Sequence, residues 1–286
     1  MKNRLPILLA VLCLLCLTAC SPALSEDEYS DTATTVTAPS VQPTTTVNRN
    51  ELPFTPVYST AEYFETRQFY DDVTEQTIHY LFHEPLRDSD EPMPLVIFLH
   101  GKGDSVTATS PGTATPMVRS LMALENESHE YSTYTLVPST PLAHEGQWTG
   151  FQVMAFKMLL WDLIEQYNID ENRIYLSGVS MGGFMTCRLV SEMPGTFAAA
   201  VPLSGAQNLS SALASHGTAF RIYHVATDPV VDVSWSRELY EQLQNSGHPN
   251  AEYIEYPTGN HVSPIYTVFE SDREEFFSWL FNQRLP

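Results

Sequence analysis

From about residue 52 onward the chain alternates two kinds of apolar pattern. Short continuous apolar runs bounded by loops occur at 94–99, 134–137, 173–177, 197–203, 220–225 and 251–256. Such runs suit strands buried on both faces of a sheet. Two earlier segments, 61–69 and 76–82, mix aromatic and β-branched residues with polar ones, which predicts half-buried antiparallel strands. Between the runs, apolar residues recur at helical spacing over 117–124, 151–167, 182–193 and 234–245. A last helix is expected at 269–282, with Phe276, Phe277, Leu280 and Phe281 on its apolar side. The pattern predicts an α/β fold: a mostly parallel central sheet with helices on both faces, right-handed crossovers and antiparallel N-terminal strands. Ligands of such folds bind outside the carboxyl ends of the strands, so the loops there are where chemistry is expected.

The first 51 residues follow a different pattern. Lys2 and Arg4 precede an apolar run at 8–17, with no acidic residue in 1–19, which is the form of an export signal. About 10 to 12 apolar residues are too few to span a bilayer. The end of this run, Leu17-Thr18-Ala19-Cys20, resembles the bacterial lipobox. That resemblance implies cleavage before Cys20 and lipidation of its thiol, with more than one acyl chain holding the protein at a membrane. Residues 21–50 contain 14 Ser, Thr or Pro residues and no apolar period. They bury too little surface to offset the entropy of ordering them, and are expected to act as a tether with a typical reach of roughly 30 Å. The expected organisation is a leader at 1–19, a lipidated cysteine and tether at 20–51, and a single domain at 52–286.

Composition narrows the function classes. The chain has 34 acidic against 14 basic residues, a formal net charge of −20. Nucleic-acid affinity comes largely from Lys and Arg displacing counterions, so this balance excludes DNA and RNA as expected partners, along with a polybasic grip on anionic lipid. Of the four cysteines, Cys13 and Cys16 leave with the leader and Cys20 is acylated, which leaves Cys187 without a disulfide partner. Its apolar helical surroundings predict a small buried hydrophobe rather than a catalytic thiol.

The sharpest motif is Gly178-Val179-Ser180-Met181-Gly182-Gly183, which follows a buried strand and opens a helical pattern. Glycines on either side of a serine permit a tight strand-to-helix turn that lifts the hydroxyl clear of the sheet. The helix N-terminus then presents N–H groups to developing negative charge. After the run at 220–225 comes Ala226-Thr227-Asp228-Pro229, and after the run at 251–256 comes Pro257-Thr258-Gly259-Asn260-His261. In these positions His261 can take the Ser180 proton while Asp228 fixes the imidazole tautomer. Asp232, four residues further on, is the rival acid. After the run ending at Leu99 stands another glycine-bearing turn, His100-Gly101-Lys102-Gly103-Asp104.

Residues 94–286 resemble the α/β-hydrolase superfamily, and within it the bacterial predicted-peptidase and phospholipase/carboxylesterase-like esterases. The likeness rests on 94–103, on 172–183 with 197–205, on Asp228-Pro229-Val230-Val231, and on Gly259-Asn260-His261 with Phe277-Ser278-Trp279-Leu280 near the end. It implies a Ser180, Asp228, His261 triad in the chain order of that fold, and an oxyanion hole formed by the Lys102 and Met181 backbone N–H groups. The same order argues against His100 as general base and places it beneath the loop. Relatives commonly have His-Gly where this chain has His224-Val225, and a proline where Asp232 stands. In such relatives the segment before the main helix shapes the substrate pocket. Here it carries Gln147 and Trp148, and Trp148 either lines a site for a sugar or aromatic group or packs in the core.

Other chemistries find little support. His79 and His83 have the spacing of a helical metal pair, but their segment reads as a strand, where four residues cover about 13 Å. No P-loop or dinucleotide fingerprint is present, so no cofactor is expected. The acidic run at 26–28 lies in the tether and reads as solvated charge. The leading expectation is an extracytoplasmic, lipid-anchored serine hydrolase that cleaves carboxylic esters, with a small-molecule or saccharide ester as substrate. A serine peptidase on the same fold and a non-catalytic binding lipoprotein are the alternatives.

Overall fold

A computed structural model describes residues 63–87, 89–104, 111–139 and 148–286. The leader, Cys20, the tether and Gln147 lie outside the described residues. Eight strands form one sheet: β1 (Glu65–Asp71), β2 (Gln76–His83), β3 (Met93–Leu99), β4 (Tyr134–Ser139), β5 (Ile169–Val179), β6 (Ala199–Leu203), β7 (Ala219–Val225) and β8 (Ala251–Tyr256). Their spatial order is β1-β2-β4-β3-β5-β6-β7-β8. β1 pairs antiparallel with β2 and β2 antiparallel with β4, while every pair from β4 to β8 is parallel.

Burial explains why the central strands lack hydrophobic alternation. On β3, Leu95, Ile97 and Leu99 enter one apolar cluster while Val96 and Phe98 enter the other, and all five are buried. The first cluster packs α2 (Gly150–Gln166), α3 (Met181–Glu192) and α4 (Ser234–Asn245) on one face of the sheet. On the other face lie α1 (Thr115–Glu127), α5 (Ser263–Tyr266) and α6 (Arg273–Phe281). Each fully buried Leu, Ile or Phe contributes about 1.5–3 kcal/mol relative to exposure, so a strand buried on both faces gains twice along one backbone. Among the described residues no helix is long and apolar enough to cross a membrane.

The last helix departs from its expected span. In place of one helix over 269–282, the chain forms α5, a π-helical turn at Thr267–Ser271, and α6 from Arg273. The break falls at Asp272, whose N–H reaches back five residues to the Thr267 carbonyl at 2.8 Å. The wider turn carries Phe269 into the core, where it meets Phe98 edge-on at 5.8 Å and Phe276 edge-on at 5.2 Å. Packing of one aromatic ring thus overrides a helical period that runs through it. Strand boundaries also move: β1 runs from Glu65 to Asp71, β5 extends to both sides of its apolar run, and β6 begins at Ala199.

Candidate active site

The strand ends at Leu99, Val179, Val225 and Tyr256 bring four loops to the same edge of the sheet, as parallel pairing requires. Ser180 lies between β5 and α3 with φ 55° and ψ −118°, a conformation that costs a non-glycine residue about 1–3 kcal/mol. Backbone bonds hold it there: Ser180 N–H donates to the Leu203 carbonyl at 2.8 Å, and Phe184 N–H to the Ser180 carbonyl at 3.1 Å. Close backbone approach does the rest. A Cβ on Gly182 would lie 2.0 Å from the Leu99 carbonyl oxygen, and one on Gly205 would lie 2.3 Å from the Ser180 carbonyl oxygen. The Met181 N–H is one of the orphan amides in the first turn of α3 and sits at the positive end of that helix.

The loop after β3 adjoins this elbow. A Cβ on Gly101 would stand 3.8 Å from Ser180 Cβ, so the loop leaves β3 beside the serine. Asp104 fixes the loop through one carboxylate oxygen, which accepts the Thr113 N–H at 3.1 Å and the Thr113 hydroxyl at 2.5 Å. Gly101 N–H in turn donates to the Thr113 hydroxyl oxygen at 3.4 Å. The stretch beside Lys102 is therefore tied to the start of α1. His100 is fully buried, its Nδ1 lies 2.7 Å from the Gly101 carbonyl oxygen, and burial lowers its pKa against the opposing pull of that carbonyl and of Asp104.

Asp228 and His261 meet across 33 residues of sequence, with Asp228 Oδ2 2.7 Å from His261 Nδ1. The other oxygen, Oδ1, accepts the Val230 and Val231 amides at 2.8 and 3.2 Å. Burial pushes the Asp228 carboxyl up, but the bonds from His261 and from those two amides outweigh it and hold the group below the ordinary carboxylate range. His261 lies in a loop fastened by Asn260, whose side chain accepts the Val262 N–H at 3.1 Å and whose own N–H donates to the Ser263 hydroxyl at 2.9 Å. With Nδ1 engaged by the acid, His261 Nε2 is buried and has no partner among the described residues. That orphan nitrogen is what a general base offers to a hydroxyl nucleophile.

The remaining expected residues are placed as follows. Asp232 does not reach His261; its carboxylate accepts the Ser234 N–H at 2.8 Å at the start of α4. Trp148 is 9% exposed, lies 6.0 Å from the His100 ring and meets Phe156 edge-on at 5.8 Å, with its indole N–H unpartnered among the described residues. Cys187 is fully buried in α3, and burial pushes its thiol up to about 12. His79 and His83 both lie on β2; His83 is bound by the Glu125 carboxylate and the Tyr63 carbonyl, each at 2.8 Å. Among the described residues no group of three or more His, Cys, Asp or Glu side chains is arranged to hold a metal ion.

Three features carried no sequence signal. Asp104 and Thr113 hold the loop beside Lys102 from nine residues apart. Trp235, 47% exposed, meets Phe184 edge-on at 5.8 Å and joins the first turns of α4 and α3. His224, at the end of β7, brings its Nε2 to 3.3 Å from Asp228 Oδ2, the oxygen that His261 also contacts. Each depends on contacts between separate elements, which neither periodicity nor motif spacing encodes.

This sheet order, with a serine on a strained turn between β5 and α3, is the fold of the α/β-hydrolases, which the chain shares with solved esterases and peptidases. Residues 149–270 match the phospholipase/carboxylesterase family model. A solved thermostable esterase is 29% identical with a TM-score of 0.66; the match covers 79% of this chain and 64% of that one. A solved ferulic acid esterase shares the fold at 14% identity with a TM-score of 0.60, covering 76% of this chain and 96% of that one. The bifunctional acetylxylan esterase/xylanase XynS20E of Neocallimastix patriciarum is 26% identical over 115 residues, which are 40% of this chain and 16% of that protein.

Proposed function

We propose that the protein is a serine carboxylesterase that works through an acyl-Ser180 intermediate. The observation that carries this reading is His261, held by Asp228 at 2.7 Å through Nδ1 while its buried Nε2 is unpartnered among the described residues. Ser180 Oγ attacks the ester carbonyl carbon and its proton passes to His261 Nε2. Asp228 stabilises the imidazolium that forms, and the oxyanion of the tetrahedral intermediate is taken by the Lys102 and Met181 amides. Collapse of the intermediate expels the alcohol, which receives the proton from His261. A water activated by the same imidazole then hydrolyses the acyl-serine and restores the hydroxyl.

The substrate proposed is a small-molecule or saccharide ester, a reading supported by the stretch shared with an acetylxylan esterase. In a panel of acetyl, butyryl, feruloyl and sugar esters run beside peptide amides, ester turnover is expected to exceed amide turnover. A fluorophosphonate probe should label Ser180. Peptide cleavage with inert esters would replace this reading by a peptidase, and an unlabelled protein inert on both would leave a binding function.

The proposed location is outside the cytoplasm, on a lipid anchor at Cys20, supported by the leader pattern and by Leu17-Thr18-Ala19-Cys20. Expressed in a bacterial host, the wild type should take up an alkyne-labelled fatty acid and sediment with membranes. Cys20→Ala should be unlabelled and recovered in the soluble exported fraction; equal labelling of both would overturn the anchor.

A further inference from the structure

We propose that His224 is a positioning residue for the triad acid: its Nε2–H, fixed by Ser236, donates to Asp228 and keeps that carboxylate aimed at His261. The proposal rests on the esterase reading above.

His224 and Ser236 are both fully buried, one at the end of β7 and the other in the first turn of α4. His224 Nδ1 lies 2.7 Å from the Ser236 hydroxyl oxygen. Its Nε2 lies 3.1 Å from the Val231 carbonyl oxygen and 3.3 Å from Asp228 Oδ2. The tautomer follows from these partners. A carbonyl and a carboxylate only accept, so Nε2 carries the hydrogen, and Nδ1 accepts from the Ser236 hydroxyl. A neutral imidazole satisfies every group in this arrangement. A protonated ring would leave the Nδ1–H facing a hydroxyl that must turn its own hydrogen elsewhere in a buried site.

The consequence falls on Asp228. Its Oδ1 is held by the Val230 and Val231 amides, and its Oδ2 is bonded by His261 at 2.7 Å and approached at 3.3 Å by His224 Nε2, whose single hydrogen is shared with the Val231 carbonyl. With two donor groups against each oxygen the carboxylate cannot rotate without breaking or lengthening one of these contacts. The bond to His261 is therefore fixed in direction as well as charge. Other charged groups around the pair are Asp232 on the same loop, Arg237 on α4 and Glu255 on β8.

The test compares His224→Leu, His224→Gln and Ser236→Ala on p-nitrophenyl acetate. Leucine removes the donor; the glutamine amide restores an N–H near the Nε2 position. For His224→Leu, kcat should fall about 10- to 100-fold, with KM within about twofold of wild type. The acid limb of its kcat/KM profile should move to higher pH, because a carboxylate with one donor fewer holds a proton on His261 more strongly. His224→Gln should recover most of both. Ser236→Ala, which releases the tautomer while leaving the ring in place, should shift the profile in the same direction by less, and it supplies the reading if the leucine variant does not fold. Folded variants with wild-type kcat and an unmoved acid limb would overturn the proposal, as would equal losses in the leucine and glutamine variants without a pH shift. Ser180→Ala keeps the two readings apart: turnover surviving in it sinks the esterase mechanism itself, whereas an inactive Ser180→Ala beside an unaffected His224→Leu sinks only the role of His224.

Discussion

Ser180→Ala is expected to lower ester turnover by about 10³- to 10⁶-fold while leaving the melting temperature within about 2 °C of wild type. The large kinetic effect follows from losing the only atom that forms the acyl bond in the proposed mechanism; removing a nucleophile leaves the residual catalysis due to oxyanion donors and substrate binding. The small thermal effect follows from what holds the elbow. Its bonds are backbone bonds, from Ser180 N–H to Leu203 and from Phe184 N–H to Ser180, and alanine keeps both. Alanine also carries the same Cβ through the positive φ of 55°, so the strain is unchanged. Steady-state kinetics on a p-nitrophenyl ester with calorimetry on the same preparation separate the two quantities. Turnover within tenfold of wild type would place the nucleophile elsewhere.

Gly182→Ala is expected to cost at least about 3–5 kcal/mol, a large part of the 5–15 kcal/mol that stabilises an ordinary domain. The new Cβ would stand 2.0 Å from the Leu99 oxygen, 2.6 Å from the Leu99 carbonyl carbon and 2.9 Å from the His100 oxygen. All three are backbone atoms at the end of β3, a strand held between β4 and β5, so no side chain can swing aside to make room. The neighbouring glycines are locked in the same way. A Cβ on Gly178 would meet the Gly182 oxygen at 2.4 Å, and one on Gly183 would meet the Gly205 oxygen at 2.2 Å. The start of α3 is thus wedged between the ends of β3 and β6. At about 2–4 °C per kcal/mol for a domain of this size, the melting temperature should fall by roughly 6–20 °C, or the variant should fail to fold. A shift of under about 2 °C would overturn this close approach of the two backbones.

Much of the scaffold was legible because its signals are local. The run at 94–99 marks β3 to within a residue, since a strand buried on both faces must be apolar at consecutive positions; the run at 251–256 also marks β8, but as an edge strand that carries Glu252 and Glu255 and is only partly buried. The helical spacing at 234–245 marks α4 without adjustment. Where the pattern misled, packing was the cause. Phe269 fits the helical period of Phe276 and Leu280, yet its ring lies against Phe98, and the backbone widens into a π-turn to deliver it there. The candidate site was legible in its residue types and their order, because a glycine-flanked serine, an Asp-Pro turn and a Gly-Asn-His loop each follow a strand.

What the sequence determined by itself was therefore the alternation of strands and helices, the glycines of the turn at 178–183, and the order in which Ser180, Asp228 and His261 emerge from the strands. Each depends on residues within a few positions of one another, where backbone sterics and hydrophobic period act directly. Only the tertiary structure decided which strands lie side by side. It also decided that Asp228 rather than Asp232 contacts His261, that Gly205 touches Ser180, and that His224 lies between Ser236 and Asp228. Those pairings join distant positions, 33 residues apart for Asp228 and His261 and more than 70 for β3 and β5. They are fixed by the packing of two helical layers on one sheet, which no local period carries.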